Sequence, residues 1–416
     1  MAFIQFILDL GASIMMPIVV TILGLIFGQK ISKAFRSGLT VGIGFVGIFM
    51  IVGMLVTNLS PATQAMVQNW GLKLDVMDVG WPISASISFG TSIVPMVFGA
   101  CFVLNIIMLA LNWTKTMNVD IWNYWHFIFT GALVMYVTDS IALGVIASVI
   151  CFVIIMKLAD YTAPYVADFF GMPGVSLPHT ETVSWAPLGI LIDKIIDKIP
   201  GINKIVIKPE GIQKKFGLFG EPMIMGLLLG MGIGALAGYD AAGILMLGVN
   251  MSAVMFLMPR MVRVLMEGLL PLSESAREFI NKRFPGKEVY IGIDAATAIG
   301  HPSVISTGLI LIPITLVLAA ILPGNRVLPF TDLGLIPILM IWAVAPSRGN
   351  VFRGVLTGTI FMAMILLIAT DLAEITTIIA RDVQFPIPEG TSLISSLDEG
   401  AHLVPYVIYK LFSLFG

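Results

Sequence analysis

Four histidines stand in this chain, and three of them lie among groups able to hold a polar solute. His126 closes the run NVDIWNYWH, with Asn123 three residues before it. A neutral imidazole offers one donor and one acceptor, and a carboxamide offers both, so the pair suits a hydroxyl-bearing ligand. His179 lies in GMPGVSLPHTETVSW beside Thr180, Glu181, Thr182 and Ser184, a dense polar cluster after a Pro/Gly break. His301 sits between Gly300 and Pro302 in GIDAATAIGHPSVIS. A helix start there would account for the proline but not for the histidine. The acids placed to join them are Asp78, in DVGWPISASISFGTSIVP, Asp294, in GIDAATAIG, and Glu221, in FGEPM. No Gly-rich nucleotide loop of the GxxxxGK[ST] type occurs, so ATP-driven chemistry by this chain is not expected.

The elements that carry these residues follow from composition. Of 416 residues, 57% are hydrophobic and 12% charged, against roughly 25% charged in a soluble domain. Such a chain cannot cover its surface with solvated side chains. This excludes a soluble globule, a disordered chain and a coiled coil. The 41 glycines and 23 prolines fall inside apolar runs, as membrane helices tolerate. β-Barrel strands would give only short alternating segments. The net charge of −2 supplies no basic field, so nucleic acid is not expected as a partner. Cys101 and Cys151 lie in apolar runs and read as buried small hydrophobes, with no zinc spacing and no disulfide framework. The opening MAFIQFILDLG lacks a charged n-region and a small-residue cleavage site, so it reads as a first span.

In lipid, each candidate residue has a plainer reading. Trp122, Tyr124 and Trp125 would form an interfacial aromatic belt that takes His126 with it. The segment around His179 would be a solvated loop. An acid at the bilayer centre costs about 2.5–3.5 kcal/mol on insertion scales and needs a partner or water. Asp78, near Lys73 and Asp75, could instead lie at the membrane edge, and Glu221 could simply begin a span. Asp139 and Asp371 read as span boundaries.

A span takes about 20 apolar residues. One set of candidates covers 3–27, 38–59, 93–111, 121–137 and 141–156; a second covers 216–238, 241–258, 305–322, 333–344 and 351–369; a short segment, 402–415, comes last. The sets look like copies. Pro17 matches Pro222; Gly24, Gly28 and Gly42 match Gly230, Gly234 and Gly248; Asp78 matches Asp294; Asp120 matches Asp332. Basic residues then fall on opposite members of most loop pairs, Lys115 against Arg326 being uninformative. Lys30, Lys33 and Arg36 in the first loop face only Asp240 in its counterpart, and Arg348 and Arg353 face a turn at Asp139 with none. Because cytoplasmic loops collect Lys and Arg, the copies are expected to be inverted, with the N-terminus outside. The organisation read is a first repeat at 1–158, a connector at 159–215, a second repeat at 216–372 and a C-terminal segment at 373–416. Within the connector, ILIDKIIDKIPGINKIVIK pairs Asp193/Asp197 with Lys194/Lys198 among isoleucines, as a helix in the membrane interface would; a cytosolic hairpin is the alternative. The segments 78–95 and 292–313 are too rich in small residues, hydroxyls, Gly and Pro to be simple spans, and are expected as re-entrant loops lining a cavity. The fold class expected is an all-α integral membrane protein, with two inverted repeats of about five transmembrane helices, re-entrant hairpins and one terminal helix.

The stretches GLIFGQKISKAFRSGLTVGIGFVG, TKTMNVDIWNYWHFIFTGALV and GIDAATAIGHPSVIS together resemble the galactitol-type IIC subunit of the bacterial phosphotransferase system, in the ascorbate–galactitol superfamily. The resemblance covers nearly the whole chain. It implies a multi-pass permease of the bacterial inner membrane, built from a core domain and a V-shaped dimerisation domain and assembled as a homodimer. It further implies a polyol carried by an elevator motion and phosphorylated by a separate IIB subunit fed through IIA. The IIC chain itself would carry no catalytic residue, metal or cofactor. Carried onto this chain, the ligand contacts implied are His126, His179 with Thr180 and Glu181, and Asp294, with Asn123, His301, Asp78 and Glu221 as further candidates. The other classes weighed are an ion-coupled secondary transporter of a polyol or organic anion, with Asp294 as the ion site, and a membrane-embedded enzyme using His126 and His179 as acid and base.

Overall fold

The computed structural model describes residues 12–70, 74–118, 120, 122–208, 221–283, 289–298, 301–385, 387 and 393–414. Helices dominate it. The chain opens with α1 (Ala12–Ile26) and the 40-residue α2 (Ile31–Trp70), turned at Gly28, whose φ of 85° suits glycine. Strand β1 (Val76–Asp78) leads into α3 (Trp81–Gly90) and α4 (Val94–Ala110), which meet at 99° across a short break. Both helices start on a proline, Pro82 and Pro95, whose missing N–H is one the first turn never uses. This bend falls within 78–95, where a re-entrant loop is expected from the sequence, and its geometry is that of a broken span or a re-entrant loop. Then follow β2 (Thr116–Asn118), α5 (Trp125–Thr138), α6 (Ile141–Phe170), β3 (Val175–Ser176), α7 (Thr180–Val183) and α8 (Ala186–Ile196). Asp139, in the left-handed region at φ 51°, ends α5, and the Ser140 hydroxyl starts α6 by accepting the Leu143 N–H.

The second half repeats this order. Helix α9 (Pro222–Leu236) turns at Gly238, φ 79°, into the 43-residue α10 (Ala241–Arg283). The turn glycines that occupy the same place are therefore Gly28 and Gly238; the sequence matching had set Gly28 against Gly234. Next come β4 (Tyr290–Gly292), a 3-10 turn at Ala295–Ala298, α11 (Pro302–Ile321), β5 (Val327–Leu328), α12 (Ile336–Leu339), α13 (Ile341–Val344), α14 (Val351–Asp382), β6 (Leu393–Ser395), α15 (Leu397–Ala401) and α16 (Leu403–Phe412). Among the described residues α6, α11 and α14 are each long and apolar enough to cross a membrane, with the α3–α4 pair as a fourth.

Two extended contacts are among those that tie the halves together. Helices α2 and α10 run antiparallel: Gln29 donates to the Pro271 carbonyl at 2.6 Å, Gly44 lies on Leu265, Gly47 on Met261, and the Asn250 amide donates to Asn58 at 2.7 Å. A Cβ at Gly44 would stand 2.5 Å from the Leu265 Cβ, so the approach requires glycine. The second contact is two parallel three-stranded sheets, absent from the all-α expectation. In one, β1 lies between β5 and β6; in the other, β4 lies between β2 and β3. Each half thus contributes the central strand of one sheet and both edges of the other. Strands of two or three residues are too short to show an alternating pattern, which is why the sequence hid them.

Other elements also differ from expectation. The stretch 333–344 is a 3-10 turn followed by α12 and α13, with Met340 at φ −90°, ψ 2° outside helical geometry. The connector helix stops at Ile196, before Pro200, and residues 205–208 strap onto α14 instead: Asn350 accepts from the Ile207 N–H and donates to the Ile205 carbonyl at 2.8 Å. Asp193 and Asp197 pair with Arg353, at 2.9 and 2.7 Å, rather than acting through the lysines four residues away. The boundaries after 158 and 372 fall inside α6 and α14.

Polarity is arranged opposite to that of a soluble protein. Large apolar side chains such as Met50, Val103, Ile146, Val249 and Val317 are exposed, while Asp78, Asp332, Asp398, Glu399, His126 and His402 are buried. The outside suits lipid and the polar groups are kept for the interior. Cys101 and Cys151 are buried and free, as read from sequence.

Candidate functional site

His126 comes from the first turn of α5. Its aromatic neighbours do not form an interfacial belt: Trp122, Tyr124 and Trp125 are all buried, with Tyr124 stacked on Phe98 at 5.4 Å. The Trp125 ring lies 4.2 Å from His126 and fixes the imidazole by packing. His179 is likewise not solvated, at 5% exposure. It caps α7, where its carbonyl accepts the N–H groups of Thr182 and Val183 at 3.1 and 2.9 Å. The two rings meet edge to face at 4.9 Å. His179 stands between carboxylates, with Nδ1 3.4 Å from Glu181 and Nε2 3.4 Å from Asp294. These distances allow charge attraction, but the Nδ1 contact lacks hydrogen-bond geometry.

The third ring is one that sequence reasoning missed. His402, at the α15–α16 junction, places Nε2 2.6 Å from His126 Nδ1, and its own Nδ1 lies 2.7 Å from the Asp398 carbonyl. Ser396 starts α15 by accepting the Glu399 N–H at 3.0 Å and is bonded to Ser84 of α3 at 2.9 Å. Trp185 adds a donor at 2.6 Å to the Ala401 carbonyl, so α3, α8 and α15 hold one another. Asp398, also missed, lies within 4.8 Å of the His126 and His402 nitrogens, and Glu399 beside it in sequence accepts from Thr376 and Ser395 at 2.7 and 3.2 Å. Both Asp398 oxygens, Glu399 Oε1, His126 Nε2, His179 Nδ1 and Thr180 Oγ1 are buried without hydrogen-bond partners. A buried polar group left unpaired costs about 1–3 kcal/mol, so several together favour a partner able to hydrogen-bond with them. The only clue in sequence was DEGAH, three ionisable residues in five, at the head of an apolar segment.

The remaining candidates are placed as follows. The Asn123 amide donates to Asp120 at 2.7 Å, and Asp120 lies within electrostatic reach of Asp294. Asp78 is fully buried and accepts the N–H groups of Gly80, Phe330 and Asp332 at 3.2, 2.9 and 3.1 Å. It braces the first hairpin against the turn after β5. Asp332 does the same from the other side, accepting from Trp81 and Asp398 at 3.0 and 3.1 Å. His301 is outside the three-ring cluster: it packs on Phe169 at 4.2 Å and caps α11 through Ser303. Glu221 is exposed at the start of α9. Asp139 ends α5, as read, whereas Asp371 lies within α14 rather than at a boundary and pairs with Lys410 at 2.5 Å.

His126, His402 and Asp398 offer ligand atoms within 4.8 Å of one another. Two imidazoles on one zinc, each at about 2.0–2.1 Å in tetrahedral geometry, would hold their nitrogens more than about 3 Å apart. At 2.6 Å the two nitrogens share a proton instead. An open cleft of about 620 Å³ lies elsewhere, lined by Tyr165, Asp168, Phe169, Pro346 and Arg348, with His301 behind its Phe169 wall.

Comparison with known proteins agrees with this interior. The family model described as PTS system sugar-specific permease component matches residues 6–390. The chain is 41% identical over 409 residues to the PTS system galactitol-specific EIIC component of Escherichia coli (strain K12), covering 98% of this chain and 90% of the relative. The protein of that name from Escherichia coli O157:H7 is similar to the same degree, 41% over 409 residues, with the same coverage. A permease IIC component of strain K12 whose name states no substrate is 41% identical over 410 residues, covering 99% of this chain and 94% of the relative. With a match over nearly its whole length, and an apolar exterior around a polar core, the chain belongs to the galactitol-type permease components, EIIC, of the PTS sugar-transport systems, and is a membrane protein.

Proposed function

We propose that this chain carries a polyol, galactitol being the first to test, through the membrane for phosphorylation by a separate IIB chain supplied through IIA. The observation that carries this reading is the buried cluster of unpartnered acceptors contributed by α5, α7 and the α15–α16 junction. His126 Nε2, the two Asp398 oxygens and Glu399 Oε1 match a solute rich in O–H donors. Thr180, Glu181 and Asp294 complete the site around His179, and Asn123 positions Asp120 beside it. The relatives named for galactitol support the choice of polyol; the relative without a named substrate, at the same identity, leaves other sugars as competitors.

Two inverted repeats, α1–α8 and α9–α16, form the framework of this proposal. The repeated element order and the strand exchange between the sheets support it. α2 and α10 serve as the fixed scaffold of a homodimer in the bacterial inner membrane, and the elements bearing the histidines move past it as an elevator. The solute acquires about −1.5 to −2 charges when phosphorylated, so carboxylates in the cluster then repel the product and lipid blocks its return.

The test uses vesicles holding the full chain, with and without IIA, IIB and phosphoenolpyruvate. Galactitol accumulating as a phosphate ester only with all three is the expected result. Uptake of unmodified solute that follows a proton or sodium gradient would replace this reading with ion-coupled transport.

A further inference from the structure

The contact between His126 and His402 has a direction that follows from the chemistry of its far end. A peptide carbonyl only accepts, so the 2.7 Å contact from His402 Nδ1 to the Asp398 carbonyl places a proton on Nδ1. In a neutral ring, His402 Nε2 then carries a lone pair. That nitrogen lies 2.6 Å from His126 Nδ1, where two lone pairs would repel, so His126 Nδ1 carries the next proton and donates. The end of the relay is His126 Nε2, left with its lone pair, buried and without a partner. Trp125 packs against both imidazoles, at 4.2 and 5.3 Å, and Phe129 lies 5.1 Å from His402, so neither ring turns freely.

We propose that His402, anchored on the Asp398 carbonyl, is a positioning residue that locks His126 in the Nδ1–H tautomer, making His126 Nε2 an obligate acceptor for one hydroxyl of the solute. This deepens the polyol-carrier reading and rests on it for the ligand. A hydroxyl can donate or accept, so an imidazole free to change tautomer would accept either a hydroxyl or a carbonyl oxygen. A locked acceptor admits only a donor. A carbonyl or ether oxygen at that position would face the Nε2 lone pair, and a buried polar site left unpaired discriminates strongly. The relay therefore selects the alcohol over its oxidised, carbonyl-bearing counterpart, using a residue that need not touch the solute.

Two measurements on the full chain in lipid nanodiscs test this. The first is nitrogen NMR of histidine labelled with 15N in the ring; the chain has four histidines, so single substitutions assign the signals. Protonated Nδ1 and bare Nε2 on both His126 and His402 are expected. His402→Phe should release His126 into a mixture of tautomers, with His402→Gln as the second variant should the first fail to fold. The second is binding of galactitol against its monodeoxy and monodeoxyfluoro derivatives, since C–F accepts weakly and never donates. At one position, fluorine should weaken binding at least about tenfold, no better than hydrogen; in His402→Phe the fluorinated compound should bind better than the deoxy compound. An Nε2–H tautomer on His126 or an imidazolium at His402, with galactitol binding intact, overturns the relay alone. Fluorine tolerated at every position of the wild type overturns the acceptor role. No galactitol binding by the wild type, with the expected tautomers present, overturns the polyol reading and the ligand half of this inference, while the relay stands.

Discussion

Asp294 keeps a quarter of its side chain exposed, at 25%, while its partner His179 keeps only 5%. It is therefore the carboxylate of the cluster best placed to meet both solute and water. Asp294→Asn removes its charge and should raise the galactitol Kd about tenfold, equivalent to one charge-assisted hydrogen bond. It should also slow release of the phosphorylated product, because the repelling charge is gone. Equal Kd and equal single-turnover release in mutant and wild type would remove Asp294 from the site. Asp78 leads to the opposite expectation. Its carboxylate is committed to three backbone N–H groups, so Asp78→Ala orphans buried donors at about 1–3 kcal/mol each. Thermal unfolding in detergent should fall well below wild type, with Asp78→Asn intermediate. An unchanged Tm in Asp78→Ala would show that the brace is dispensable. Both acids were legible in the sequence as acids in broken segments. Which of them braces and which stays partly exposed beside His179 was not, because that depends on backbone donors contributed from beyond residue 329.

At the scale of elements, the α2–α10 crossing is set by residues with no side chain. A Cβ on Gly268 would meet the Ser37 carbonyl and the Val41 backbone N–H at 2.8 Å, whereas one on Gly53 meets nothing within 4 Å. Gly268→Leu should therefore separate the helices and destabilise the protein by at least about 1–3 kcal/mol, while Gly53→Leu in the same α2 should be near neutral. Matching Tm values for the two variants would contradict the close approach. The sheet ends are joined more weakly. Arg326 reaches Asp75 through Nε at 2.8 Å, from β5 to β1, and this guanidinium holds the Asp75 carboxyl below its usual value. A lowered carboxylate pKa adds stability above the unfolded pKa, about 3.9, and that stability is lost as pH falls through the folded value. Both partners are more than a third exposed, so Asp75→Asn should shift stability by less than about 1 kcal/mol near neutral pH. A larger loss in chemical unfolding would mean that the pair anchors the sheet.

For the whole molecule, the strand exchange makes the halves interdependent: neither sheet has its centre without the other half's edges. Separately expressed halves should fail to fold alone and should associate when co-expressed. An inverted arrangement also predicts that cysteines placed at Lys30 and at Asp240, in the corresponding turns before α2 and α10, react with an impermeant thiol reagent from opposite faces of the membrane, in a background with Cys101 and Cys151 replaced. Labelling from one face would sink the inverted-repeat proposal. Composition foretold the membrane character because burial of apolar surface acts on every residue of a span, wherever its partners lie.

The residues alone determined the class of protein, its apolar spans, a break within 78–95 and two of the three clustered histidines. Each of these rests on neighbours close in the chain: a run of apolar side chains, a proline beside a glycine, or a motif dense enough to resemble a family. Only the tertiary structure brought His402 to His126 across 276 positions, turned Asp78 into a brace, and built sheets from strands of two and three residues. Those features exist only once long-range packing has been achieved, and a hydrogen bond between distant residues leaves no periodic trace in the sequence of either partner.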